Sequence, residues 1–426
     1  VPPPPLAKLP DVTDRRYRVW ADVDLDALTH NLDVVRRRAG AGVRVMLVVK
    51  ADAYGHGAVV VAQHAVRCGV GALGVGTAAE AFELRRAGLT VPVLVLGTIV
   101  DGEASAVMRH DIQIGLHSAR EITALQETAE RKGLTARVHL NVDTGMGRLG
   151  VLPDRAHDLL GRIHSAQNLD LAGVMSHISS PRGALDEAAA RQAELFQHVC
   201  GKARTAGRLA GWTHIANSAW LFTAPGPHLD TVRPGISAYG VLPGDLPGAD
   251  ELRPVMSMHC QVALVKDLPR GAPVGYGSTW RASRRARIAT LSVGYADGVP
   301  WALGNRGEVW VRGARAPMIG NVSMDYVTID VTDVPGVAPG DRVTLFGSAG
   351  APTVEEVARR ASTIPYEVTC SVGRRVPRIV RGGEELLVPS TARTHSGAGM
   401  SRERGAIERA APGELATRVG PAAILE

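Results

Sequence analysis

Eight short apolar runs, spaced along the first 250 residues, constrain this chain more than any other feature. They fall at 43–50, 72–76, 92–98, 112–118, 136–143, 169–177, 212–217 and 231–236. Amphipathic stretches lie between several of them. Residues 24–38 carry Leu25, Leu28, Leu32 and Val35 at helical spacing, and 119–132 and 186–206 follow the same rule. Strands alternating with helices eight times predict an α/β fold, a (β/α)8 TIM-type barrel over residues 15–250. A doubly wound open sheet is the alternative that pattern leaves standing.

The texture changes after residue 250. Short alternating segments at 256–265, 286–292, 308–311, 326–330 and 341–346 are separated by Gly, Pro and Asp, with one helical stretch at 353–361. This predicts a mainly β domain over 251–389. The first 14 residues are proline-rich and read as an extended arm. Residues 390–426 show no sustained period and read as a flexible tail.

Composition narrows the function classes. The net charge of +6 is scattered in pairs such as Arg284-Arg285, and only 4% of residues are aromatic. A nucleic-acid groove needs basic residues interleaved with stacking rings, so none is expected. No apolar stretch is long enough to span a membrane. The chain start has neither the charged end nor the apolar core of a secretion signal. The cysteines, Cys68, Cys200, Cys260 and Cys370, lack the spacing of a zinc site or a disulfide framework. No metal is expected, and a reducing cytoplasm is the simplest location.

The chemistry concentrates at the ends of the apolar runs. The first run stops at Lys50 and continues as Ala-Asp-Ala-Tyr54-Gly-His-Gly. A lysine ending a buried strand is costly to desolvate. Such a lysine serves as a Schiff-base former or as a base of lowered pKa, the alternative being a strand-end lysine that reaches solvent. The fifth run leads into 141–148, which ends at Arg148. The sixth ends at His177, the seventh at Asn217-Ser218, and the eighth contains Arg233-Pro-Gly235-Ile236. In a barrel these ends share one rim. Glycine-rich turns there expose amides which, with the hydroxyls of Ser218 and Tyr54, suit a phosphate.

The octet at 50–57 resembles the pyridoxal-phosphate attachment motif of alanine racemases. Further segments resemble motifs of that family in order: 21–27, 143–150, 214–219, 232–240, 294–298 and 323–325. The likeness covers residues 17 to 385 and implies a pyridoxal 5'-phosphate enzyme that interconverts L- and D-alanine. It implies that Lys50 holds the cofactor and is one acid/base group. Tyr276 is implied as the other, reaching in from the partner of a head-to-tail homodimer. Arg233, supported by His214, is implied at the pyridine nitrogen, with Arg148 and His177 near the ring. Tyr54, Asn217, Ser218, Gly235, Ile236 and Tyr366 complete the cofactor site. Arg148, the amide of Met324 and Tyr295 are implied to meet substrate.

Physical chemistry supports those roles. Racemisation needs proton removal on one face and return on the other, which two bases achieve without moving the substrate. An arginine at the pyridine nitrogen keeps its proton, which weakens the ring as an electron sink and disfavours transamination. Tyr276, Tyr295 and Tyr366 crowd the site, so alanine is the expected substrate, with a broader-specificity racemase as the alternative. A decarboxylase is disfavoured by Arg233. A non-catalytic cofactor binder is disfavoured by Tyr276 and Asp325. One departure stands out: Asn141 occupies a place where many members carry a carbamylated lysine, so a small anion such as chloride, or water, is expected beside Arg148.

Overall fold

The computed structural model describes residues 17–226, 228–347 and 350–383. The proline-rich arm expected at 1–14 and the tail expected at 390–426 lie outside the described residues. Each of the eight apolar runs contains a strand. With Val19–Asp24 as β1, these are β2 (Arg44–Val48), β3 (Ala72–Val75), β4 (Val93–Val95), β5 (Ile112–Leu116), β6 (Ala136–Asn141), β7 (Leu169–Met175), β8 (Trp212–His214) and β9 (Thr231–Val232).

The strands β2 to β8 pair in sequence order, all parallel, and β9 returns to pair with β2 through Arg44↔Thr231 and Val45↔Val232. That return, closed across the one remaining seam, excludes the open sheet. The remaining seam, between β8 and β9, carries a backbone bond just past the strand ends, from Arg233 N to Ala216 O at 2.8 Å. Helices cover the outside. Met46, Ala72, Leu94 and Met175 form a separate apolar cluster, with Leu96 and Trp212 packed against it. These side chains fill the barrel, which is therefore a packed core and not a pore.

Local chemistry explains the helix boundaries. The first helix, Leu25–Ala39, starts at Asp24, whose Oδ1 accepts from the amides of Asp26 and Ala27 at 2.9 Å each. Such caps contribute about 1 kcal/mol. It stops at Gly40, where φ is 91°. The helix Ala78–Arg86 opens with a reciprocal Thr77–Glu80 capping box.

Beyond residue 250 the chain builds the expected β-rich unit. Its axis is β10 (Met256–Leu268), which bulges between Val262 and Leu264. The half before the bulge pairs with Arg342–Phe346 and β1, and the half after it pairs with Ala286–Leu291. The strand β1 lies within the span expected for the barrel but is not one of the barrel's strands. The strand β1 pairs antiparallel with β10 and parallel with Arg378–Arg381, so it belongs to the second sheet. Its partners lie far along the chain, and local pattern carries no trace of such pairing. Strands at Ala314–Pro317 and Arg378–Arg381 were also not foreseen, because arginine and proline dilute their alternation.

Candidate active site

The turn after β2 sets up the site. Lys50 begins a segment in which Ala51, Asp52, Ala53 and Tyr54 all have φ between 51° and 54°. This is a turn of left-handed helix, which costs L-residues roughly 1–2 kcal/mol each. The strain is held by specific bonds. The Glu80 carboxylate receives Ala51 N at 2.7 Å and Gly76 N at 2.7 Å. Asp52 Oδ1 receives Ala58 N at 2.7 Å, and Arg378 Nε donates to Gly55 O at 2.9 Å. Gly55 is required twice over. Its φ is 84°, and a β-carbon there would collide with the Thr369 carbonyl.

Around Lys50 lies a cavity of about 510 Å³. Of the barrel-side residues expected from the sequence, Lys50, Tyr54, Arg148, His177, Asn217, Ser218, Arg233, Gly235 and Ile236 line it, joined by Tyr366 from the helix Pro365–Cys370, while His214 lies behind Arg233. Burial, together with Arg148 and Arg233, lowers the Lys50 pKa, while Glu80 and Cys370 oppose the shift. The amine is thereby moved toward its reactive neutral form.

One end of the cavity is a cradle for an anion. Ser218 Oγ accepts from Gly235 N at 3.1 Å, Ser237 N at 3.3 Å and Ser237 Oγ at 2.9 Å. With its lone pairs occupied, the Ser218 hydroxyl is left as a donor. Tyr54 stands beside it, and a β-carbon on Gly235 would lie 2.5 Å from the Tyr54 hydroxyl. Burial raises the Tyr54 pKa and pushes Tyr366 up to about 12, so both remain phenols able to donate. Their rings are 5.9 Å apart. Asn217 plays a different part. Its Oδ1 caps the helix Ser218–Thr223 through Trp220 N at 2.9 Å, and its Nδ2 reaches Ile178 O at 3.3 Å. Its amide therefore holds the cradle's helix in place.

Arg233, which lines the same cavity, is buried and heavily bonded. It donates to Ser176 O at 2.6 Å, His214 O at 2.8 Å and His214 Nδ1 at 2.6 Å. Burial lowers its pKa to about 10, which still leaves it a cation at neutral pH. His177 Nδ1 sits 3.5 Å away, and burial with Arg233 and Arg148 lowers its pKa to about 3. Asn141 donates to Leu149 O at 3.0 Å and pairs with His117 Nδ1 at 3.1 Å. It braces the 143–150 loop that carries Arg148. Asp143 shapes the same loop by accepting from the amides of Gly145, Met146 and Gly147.

The remaining expected residues, Tyr276, Tyr295 and Met324, do not line this cavity. They gather in a second cluster on the β-rich unit. Asn321 Nδ2 donates to Tyr276 O at 3.0 Å, Tyr295 N to Ser323 O at 3.0 Å, and Ala296 N to Met324 O at 3.1 Å. The fully buried Asp297 anchors the cluster through Arg18 at 2.7 Å and Arg375 at 3.1 Å, and Arg375 also binds Asp325 at 2.6 Å. Tyr276 is 77% exposed. Sequence reasoning found Asp325 as part of a motif but missed Asp297 as its anchor. An acidic residue among glycines gives no sign of full burial.

A buried-strand lysine facing an anion cradle across a barrel rim defines a barrel enzyme built for a phosphate-bearing cofactor. Residues 23–243 match the family described as alanine racemase, N-terminal domain, and residues 255–380 match its C-terminal domain. The chain belongs to the alanine racemase family. It is 40% identical over 362 residues to the alanine racemase of Desulfovibrio desulfuricans, covering 85% of this chain and 97% of that one. The alanine racemase of D-cycloserine-producing Streptomyces lavendulae superposes with a TM-score of 0.82 at 34% identity, covering 87% and 98% of the two chains. That of Bartonella henselae, with covalently bound pyridoxal phosphate, gives 0.77 at 29%, covering 86% and 100%. The residues present here fit such a group: an amine of lowered pKa, a hydroxyl-and-amide cradle opened by Gly235, and a buried guanidinium lining the same cavity.

Proposed function

We propose that this chain interconverts L-alanine and D-alanine with pyridoxal 5'-phosphate held on Lys50, using Lys50 and Tyr276 as the two bases. The observation that carries the reading is the convergence of Lys50, Arg233 and the Ser218–Tyr54 cradle on one cavity. Pyridoxal phosphate, when bound, supplies the electron sink that makes the α-proton of an amino acid acidic.

The chain's residues supply the rest. The hydroxyls of Ser218, Tyr54 and Tyr366, with the amides of Gly235 and Ile236, hold the phosphate. Arg233 remains protonated beside the ring nitrogen and yields no proton to it, which limits electron withdrawal and suppresses transamination. The Nζ of Lys50 takes or returns the α-proton on one face. The hydroxyl of Tyr276 does so on the other. Arg148 and the Met324 amide orient the substrate carboxylate, and Tyr295 narrows the entrance.

In this reading Tyr276 serves the site of a second copy, in a head-to-tail homodimer with shared sites, and its exposure outside the Lys50 cavity supports that arrangement. D-alanine from this reaction feeds peptidoglycan synthesis in the cytoplasm. The free state of all four cysteines is in keeping with that compartment. No helix among the described residues is long and apolar enough to cross a membrane.

The test is D-alanine formation from L-alanine by purified protein loaded with cofactor, beside Lys50→Ala and Tyr276→Phe. Each variant alone is expected to be inactive. Mixed subunits of the two, unfolded and refolded together, are expected to recover about a quarter of wild-type activity, because each mixed dimer regains one intact site. No recovery on mixing would place both bases in one chain. Wild-type protein that binds cofactor but leaves alanine unchanged would refute the reaction itself.

A further inference from the structure

A thread of polar side chains crosses the inside of the barrel, where packed apolar layers are the rule. It starts at Gln113 on β5, passes through His139 on β6 and His214 on β8, and ends at Arg233. Gln113 Oε1 lies 2.9 Å from His139 Nε2, and His139 Nδ1 lies 2.9 Å from His214 Nε2. His214 Nδ1 lies 2.6 Å from Arg233 Nη1. All four side chains are buried. The fold makes room for the thread. The β6–β7 register slips between Val138 and His139. Across from it, a β-carbon on Gly173 would lie 2.5 Å from His139 Nδ1.

Only one arrangement of protons satisfies every contact. Arginine can only donate, so His214 must accept at Nδ1 and carry its proton on Nε2. That proton goes to His139 Nδ1, which places the His139 proton on Nε2. The Nε2–H then needs an acceptor, and Gln113 Oε1 supplies it. If Gln113 presented its NH2 instead, His139 would hold its proton on Nδ1. His214 would then accept at Nε2 and turn Nδ1–H against the guanidinium. A donor would face a donor, in a site too buried for repair by water.

We propose that Gln113 is a positioning residue: its amide oxygen fixes the tautomers of His139 and His214, and through them holds Arg233 in its place against the cofactor's ring nitrogen. The last step rests on the reading of Arg233 given above. The tautomers do not, since they are set in the chain itself. Burial, with Arg233 adding to it, lowers the His139 pKa to about 3 and holds that of His214 well below its ordinary value, so both rings stay neutral as the thread requires.

The test is 15N spectroscopy of histidine-labelled full-length protein, with and without pyridoxal phosphate, beside Gln113→Glu and Gln113→Met. In the wild type both rings are expected as Nε2–H tautomers that do not titrate from pH 5 to 9. In Gln113→Glu the carboxylate favours a protonated His139, whose Nδ1–H forces His214 to the Nδ1–H form. Cofactor affinity is then expected to fall about tenfold, the equivalent of one buried hydrogen bond. In Gln113→Met the His139 Nε2–H loses its acceptor. Its proton signal is expected to broaden by exchange, with a smaller loss of affinity. An Nδ1–H form of either ring in the wild type would overturn the proposal. So would variants in which the His214 tautomer and the cofactor affinity both stay as in the wild type. A changed tautomer without change in cofactor affinity would retain the thread and refute the placement of the ring nitrogen at Arg233.

Discussion

The Glu80 carboxylate receives the amide of Ala51 at 2.7 Å, one residue beyond Lys50. The same side chain caps its own helix through Thr77 N at 3.2 Å. Glu80 thus ties the left-handed turn to the next βα unit and places negative charge near the Lys50 amine. Its charge raises the Lys50 pKa against burial and Arg148. Glu80→Gln is therefore expected to lower that pKa further. The pH midpoint for cofactor uptake by the cofactor-free protein, followed by absorbance, should shift downward. A midpoint that rises or stays fixed would show that Glu80 acts only as a cap.

Ser218→Ala removes the oxygen on which the amides of Gly235 and Ser237 converge. It also removes a donor to the phosphate. The dissociation constant for pyridoxal phosphate is expected to rise about tenfold or more, at about 1.4 kcal/mol per decade. Equilibrium dialysis measures it. A constant equal to that of the wild type would exclude Ser218 from the cradle.

Gly55→Ala places a β-carbon against the Thr369 carbonyl in a backbone with φ of 84°. The turn carrying Lys50 must then shift away from the helix that carries Tyr366. A loss of stability of about 2 kcal/mol or more is expected, through strain and collision together. Urea denaturation measures it, and a loss under about 0.5 kcal/mol would mean that the contact relaxes freely.

Acid should destabilise the fold before its carboxylates titrate. His56 is lowered to about 4, and His139 and His177 to about 3, each mainly by burial. The unfolded rings titrate near 6.5, so below that pH the unfolded chain binds protons that the folded chain refuses. Stability contributed by each ring is complete above about 6.5 and is lost as pH falls toward the folded value, at about 1.4 kcal/mol per pH unit per ring. Urea midpoints at pH 7.5 and 5.5 test this. His139→Gln should flatten the dependence, and an unchanged slope would show that His139 is not among the rings responsible.

The chemistry of the site was legible where it depends on local order. A lysine closing an apolar run, and the glycine that follows Arg233, mark their roles by neighbours alone. The left-handed turn at 51–54 was not legible, because alanine and tyrosine disfavour that backbone and aspartate adopts it only as an isolated residue. Glu80 and Arg378 hold it, and they come from distant parts of the chain. Asn217 is implied at the cofactor by the family resemblance, and it lines the cavity. Its use as a helix cap shows only in the bonds it makes.

The sequence by itself determined the elements and their alternation, since burial on one face imposes a period on neighbouring residues. It also determined which groups could do chemistry. Tertiary structure decided which of those groups meet. It sent β1 into the second sheet, separated Tyr276 from the Lys50 cavity, and lined up Gln113, His139, His214 and Arg233 inside the barrel. Those relations depend on hydrogen-bond partners and shared volume brought together by closure of the barrel, and no local period records them.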